Sequence, residues 1–253
     1  METVQTVLRA LALLEAVAEG KSDLESLSAS VGLSRSTTHR LLTTLVQGGY
    51  LRHAARPRAG YSLGPKLIEL GFRAHAGLHL PSLARPYLEQ LAEKSRETVH
   101  LGVLDRTMVV YIDKVPGKRE LQMASQIGAR VPAQSTALGK ALVSTLPRQD
   151  WLQYFSPDLQ QTAHTITDPT SFVEEIARVA RQGYALDLEE NEPGIRCIAA
   201  PIRDAAGQGV AAVSLSSAVL YLTNERLQEL IPLVQATARQ ISRELGWMGE
   251  DRI

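Results

Sequence analysis

The chain has 253 residues, 44% of them apolar, and its 27 Lys/Arg balance 27 Asp/Glu. That length supports one large or two ordinary domains, and that apolar share excludes a disordered chain. Cys197 is the one cysteine, which excludes an intrachain disulfide framework, and no charged start followed by an apolar run, and no 18-residue apolar segment, is present.

A soluble, cytoplasmic protein with no membrane partner is therefore expected. The neutral total hides a split. Residues 1–80 carry nine Lys/Arg against six Asp/Glu, a net of +3, and the remainder a net of −3. No acid occurs between Glu25 and Glu69, while six Lys/Arg do. A field of that sign suits the phosphates of duplex DNA.

Val4, Val7, Leu8, Leu11, Leu14 and Ala18 recur at helical spacing and predict a helix over 3–19. Gly20-Lys21-Ser22 breaks it, and Ser22 or Asp23 caps the next, Asp23 to Val31. Gly32 supplies the sharp turn of a helix-turn-helix. Ser34 to Gly49 then predicts a recognition helix, with Ser34 as N-cap and Gly48-Gly49 as its end. Leu41, Leu42, Leu45 and Val46 form its apolar stripe. Ser36, Thr37, Arg40 and Thr44 form a face of short side chains with one arginine, able to meet phosphates and a guanine edge. An ordinary surface helix has such a face too. Its neighbours favour DNA: Tyr50–Arg52 and Gly60–Leu63 predict two short strands around a loop with Arg56 and Arg58, the wing of a winged helix. The candidate DNA-contacting set is Ser34, Arg35, Ser36, Thr37, His39, Arg40, Thr44, Arg56 and Arg58.

Pro65 suits the start of a helix reaching Leu78. Residues 1–64 then form the DNA-binding domain, 65–80 a linker helix and 81–253 the remaining domain. His75 and His79 are four apart, but a third ligand is lacking, so no metal is expected. A helix over 82–95 follows, then strands 99–104, 108–114 and 121–125. Helices are predicted over 134–146, 148–155, 171–182 and 223–246, and strands over 184–188, 195–203 and 209–216. This mixed order predicts an α+β fold with an antiparallel central sheet.

Ser135, Thr136, Ala137 and Gly139 open a helix whose free N–H groups suit a carboxylate. A merely capped and tightly packed helix start looks the same. Ser214 and Ser216 alternate with apolar residues and so share one sheet face. With Asp187 and Cys197 they could complete a pocket for a small polyol or hydroxy acid. The plainer alternatives are a solvated acid, a small core cysteine and solvent-facing serines. Cys197 has no histidine near it in sequence, and Ser214 lacks the Gly-x-Ser-x-Gly elbow. No metal spacing, Walker motif or dinucleotide fingerprint occurs, so neither an enzyme nor a cofactor is expected.

Several ordered segments resemble the IclR family of bacterial transcription regulators: the opening helix, Leu33-Ser34-Arg35-Ser36-Thr37-Thr38-His39-Arg40-Leu41-Leu42, Tyr61-Ser62-Leu63-Gly64, Thr136-Ala137-Leu138-Gly139-Lys140-Ala141, Asp187-Leu188-Glu189-Glu190-Asn191 and Gly194-Ile195-Arg196-Cys197-Ile198-Ala199-Ala200-Pro201. The resemblance runs along nearly the whole chain. It implies a winged helix-turn-helix, a linker helix and a GAF/PAS-like effector-binding domain. It implies a homodimer, often a dimer of dimers, on palindromic operators near catabolic genes. It also implies small effectors, often carboxylates, held against the backbone of the Thr136–Lys140 segment, with Asp187, Cys197, Ser214 and Ser216 around them. Within the family the pattern is most similar to regulators of sugar-acid catabolism, with 2-keto-3-deoxygluconate as the kind of effector. Regulation of aromatic-acid or glyoxylate metabolism is the alternative, since one fold serves many ligands. An alternative of another class is a GAF-like ligand-binding or enzymatic protein without DNA binding, against which the acid-free basic stretch argues.

Overall fold

A computed structural model of the chain describes residues 4–54, 60–76, 79–120 and 124–249, with backbone alone for 72–76. The chain divides into two compact units, Met1–Leu78 and His79–Ile253.

The first unit comprises α1 (Gln5–Ala18), α2 (Leu24–Val31), α3 (Arg35–Gln47), β1 (Leu51–His53), β2 (Tyr61–Leu63) and α4 (Pro65–Ala76). Asp23 starts α2 by accepting from the N–H groups of Glu25 and Ser26 at 3.0 and 2.9 Å. Gly32 ends it in the left-handed region (φ +62), where a side chain would be strained, and so turns the chain into α3. Leu13, Ala16, Val17, Leu27, Leu42 and Leu51 form the core. β1 and β2 pair antiparallel, Leu51 opposite Leu63. The apolar stripe read along α1 behaves differently from a core face. Val4, Val7, Leu8 and Leu11 are 46–64% exposed, because only the C-terminal half of α1, through Leu13, Ala16 and Val17, reaches the small core.

The second unit comprises α5 (Leu80–Ser95), β3 (Thr98–Asp105), β4 (Met108–Val115), β5 (Arg130–Pro132), α6 (Ala137–Val143), a 3-10 helix (Arg148–Tyr154), α7 (Pro169–Gln182), β6 (Ala185–Leu188), β7 (Ile195–Arg203), β8 (Gly209–Ala218) and α8 (Asn224–Glu244). Six antiparallel strands lie in the order β5-β4-β3-β8-β7-β6. Side-chain alternation sorts the two faces. Val99, Leu101, Ile198, Ala200, Val213 and Leu215 pack against α5 and α8. Ala199 and Ala212 point the other way, with α6, α7 and the 3-10 helix. Of the strand expected over 121–125, only the last two residues are among those described. Ala124 and Ser125 lie outside any strand, and 121–123 fall outside the described residues. Gly128 donates to Tyr111 O, and Tyr111 donates to Ala129 O, which turns the chain so that Arg130–Pro132 pairs with β4. No helix among the described residues is long and apolar enough to cross a membrane.

Candidate functional site

α3 carries an exposed polar face. Ser34, Arg35, Ser36, Thr37, His39, Arg40 and Thr44 are all exposed, while Thr38 and Leu42 are buried beneath them. Ser34 accepts from the Thr37 N–H at 3.3 Å, and its hydroxyl also meets those of Ser36 and Thr37, so this serine fixes the helix start. Thr44 donates to Arg40 O at 3.0 Å, which leaves its lone pairs outward. Among the described residues neither Arg35 nor Arg40 has an ion-pair partner, so both guanidinium groups are available to an anion. Arg52 on β1 reaches Ser62 on β2 at 3.3 Å. Arg56 and Arg58 lie outside the described residues.

The second unit holds a cavity of about 160 Å³ on the sheet face that carries Ser214 and Ser216. Register explains its wall. Ser214 is opposite His100 on β3, Ser216 is opposite Cys197 on β7, and Cys197 is opposite Asp187 on β6. Thr136, Ala137 and Leu138 from the start of α6 form another side. Thr136 caps α6 by accepting from the Gly139 N–H at 3.2 Å, and the first i→i−4 bond runs from Lys140 to Thr136. The Ala137 and Leu138 amides precede that bond and so have no intrahelical partner, and both residues line the cavity.

Thus Thr136, Ala137, Asp187, Cys197, Ser214 and Ser216 are brought together, and Ser135 and Gly139 stand behind them. Ser135 is buried and donates to Asn191 Oδ1 at 3.0 Å, and Asn191 lines the cavity. Gly139 serves packing: a Cβ there would lie 2.2 Å from Ala133 Cα. Sequence reasoning missed His100, Tyr111, Ser125 and Asn191, which also line the cavity. Only the first left a signal, a histidine between Val99 and Leu101 in an apolar strand.

Burial dominates the electrostatics. It pushes the Asp187 carboxyl up to about 7, against the lowering pull of the Lys140 charge and its own bonds from the Glu190 and Asn191 N–H groups. Burial with the Lys114 charge nearby pushes His100 down to about 3. Burial raises the Cys197 thiol well above its ordinary value, so it is an unreactive neutral group. Lys140 is 1% exposed. It pairs with Glu190 and lies 3.6 Å from Glu175. His79 bonds Ser82 at 2.9 Å, the His75 side chain is outside those described, and no cluster of metal-ligating groups occurs among the described residues.

A helix-turn-helix with an exposed, acid-free polar face, followed by a unit enclosing a small cavity, is the architecture of a DNA-binding regulator. Comparison with known proteins agrees. Residues 6–55 match the IclR helix-turn-helix domain, and residues 72–243 match the family described as bacterial transcriptional regulator IclR C-terminal. The HTH-type transcriptional regulator KdgR of Escherichia coli is 36% identical over 97% of this chain and 94% of its own. The transcriptional repressor IclR of the same organism is 32% identical over 97% and 91%. The crystal structure of the Agrobacterium tumefaciens repressor BlcR superimposes with a TM-score of 0.80 at 26% identity, covering 97% of this chain and 98% of that one. The chain belongs to the IclR family of bacterial transcriptional regulators. It is a DNA-binding transcription regulator and not an enzyme.

Proposed function

We propose that the chain represses a catabolic operon as a homodimer in the cytoplasm, and that a small organic acid releases it. In this reading residues 1–64 bind the operator, 65–80 link the domains, and 81–253 bind the effector. Repression is supported by relatives that carry that word in their names. Dimerisation is supported by the apolar stripe Val4, Val7, Leu8 and Leu11, which one copy leaves exposed and a second could cover. The larger assembly is a dimer of dimers. The α3 residues Ser34, Arg35, Ser36, Thr37, His39, Arg40 and Thr44 face the major groove, and Arg56 and Arg58 of the wing contact phosphate.

One observation carries the effector reading. The cavity sets the start of α6, whose first amides have no intrahelical partner, against a wall that carries Ser214 and Ser216, with a carboxyl, Asp187, that burial keeps half-protonated near neutral pH. The amides suit a carboxylate, and the hydroxyl wall suits the other end of a polar acid. Its volume of about 160 Å³ equals the share of roughly five waters, more than a two-carbon acid needs. A sugar acid of the 2-keto-3-deoxygluconate kind fits best. Calorimetry of the full chain against 2-keto-3-deoxygluconate, glyoxylate and 4-hydroxybenzoate tests the choice. The sugar acid should bind tightest, and Ser214→Ala should weaken it by about 1–3 kcal/mol. Tightest binding of either other acid would overturn it.

A further inference from the structure

His100 lies in the cavity wall with a hydroxyl on each side of its ring. Its Nε2 is 2.6 Å from Ser125 Oγ, and its Nδ1 is 3.4 Å from Ser216 Oγ. The residue is 1% exposed, and its ring stacks on Tyr111 with centroids 4.7 Å apart. Lys114, whose ammonium donates to Ser125 O at 2.6 Å, adds a positive charge nearby. Burial and that cation both disfavour imidazolium, so the ring is neutral across the physiological range.

A neutral imidazole has one N–H and one bare nitrogen. Whichever tautomer forms, the ring donates to one serine and accepts from the other. The serine that gives its proton to the ring offers the cavity only lone pairs. The serine that accepts from the ring keeps its own O–H to donate. Ser125 and Ser216 both line the cavity, so the wall presents one donor and one acceptor, separated by the width of the ring. A ligand hydroxyl can satisfy either one, and two hydroxyls spaced across the ring satisfy both. A carboxylate oxygen satisfies only the donor, and a methylene satisfies neither.

We propose that His100, bridging Ser125 and Ser216, is a specificity-determining residue that selects a hydroxylated acid over its deoxygenated counterpart. This rests on the reading of the cavity as the effector site. The bridge also joins the loop before β5, through Ser125, to the sheet, through Ser216. A site built around such a pair rejects an analogue lacking the hydroxyl because the buried partners are left unpaired.

The test is calorimetry of the full chain with matched acids: 2-keto-3-deoxygluconate against 2-ketohexanoate, gluconate against hexanoate, and 4-hydroxybenzoate against benzoate. The wild-type chain should prefer the hydroxylated member of at least one pair by about 10- to 100-fold. His100→Phe, which keeps the stack on Tyr111, should bring that ratio close to one. His100→Gln, which keeps one donor and one acceptor, should retain much of it. Ser125→Ala, on a half-buried loop residue, leaves the sheet intact and should also lower the ratio, so the outcome does not depend on a substitution within β3. Thermal unfolding confirms that each variant is folded. An unchanged ratio in both His100→Phe and Ser125→Ala, or a wild-type chain that binds the deoxygenated members as well or better, overturns the inference and leaves the effector site standing. Failure of every acid to bind overturns the effector reading and this inference with it.

Discussion

Arg40 and Asp187 carry opposite demands on their surroundings. Arg40 is exposed on α3, one turn from Thr37 and Thr44, with no acid between Glu25 and Glu69 to neutralise it. Arg40→Ala should cost about 1–3 kcal/mol on a specific operator and relax preference at one base pair per half-site. Equal loss on specific and random duplexes in a filter-binding assay would reassign it to a phosphate. Asp187 is buried, and its carboxyl is pushed up to about 7. A carboxyl with a raised pKa holds its proton longer in the folded chain, so its contribution to stability is full below the unfolded value and is lost as pH rises to about 7. His100, pushed down to about 3, has the opposite sign: its contribution is present above the ordinary histidine value and lost as pH falls toward 3. The groups that act on Asp187 are Glu190 beyond the end of its own strand, Cys197 from β7, Tyr111 from β4 and Lys140 from α6. A carboxylate ligand adds another negative charge to this set. Its affinity should therefore fall as pH climbs through about 7, and Asp187→Asn should flatten that dependence. Calorimetry at stepped pH reads both, and an identical slope in the variant would show that another group titrates.

At the scale of elements, α6 and the loop after β6 hold one another. Lys140 reaches from α6 to Glu190 and Glu175, while the Glu190 carbonyl accepts from Thr165 at 2.6 Å and the Glu190 N–H bonds Asp187. Among the described residues Glu190 Oε2 is buried with no hydrogen-bond partner, so its charge depends on Lys140. Lys140→Met should destabilise the domain by about 3–5 kcal/mol, because it leaves a buried carboxylate uncompensated. Adding Glu190→Gln should restore part of that in denaturant unfolding. Additive losses would mean the two side chains act independently. Much of this was legible in sequence where one element suffices. Asp23 and Ser34 cap the helices their positions suggest, while the helix expected from 134 begins at Ala137 with Thr136 as its cap. The alternation around Ser214 and Ser216 put both hydroxyls on one face. What required the fold was long-range. Nothing near Lys140 points to Glu190, fifty positions on. The place of His100 depends on β3 pairing with β8, more than a hundred residues away in the chain. The strand Arg130–Pro132 was not expected from periodicity, because three residues are too few to show an alternation and it forms only by pairing with β4 after the Gly128 turn. The exposed stripe on α1 shows the same limit, since helical spacing reports a face and not what covers it.

At the scale of the whole molecule, one winged helix contacts too few bases for good discrimination, so two copies on a palindrome are expected. Val7→Glu with Leu11→Glu should weaken self-association in sedimentation velocity and loosen operator binding, leaving the fold of each copy intact. Unchanged association would move the interface elsewhere. Footprints should show half-sites about one helical turn, or a multiple, apart. The most direct test of a cavity that governs DNA binding is one linked titration. Full-length protein is held on a duplex selected from a random pool, and fluorescence anisotropy follows its release by 2-keto-3-deoxygluconate at fixed salt. Wild-type protein should release with rising ligand. Ser214→Ala should need more ligand, with its ligand-free operator affinity unchanged, because the two sites couple only through the bound state. Release at the same ligand concentration in both proteins, or loss of ligand-free affinity in the variant, would contradict a cavity that acts as the switch.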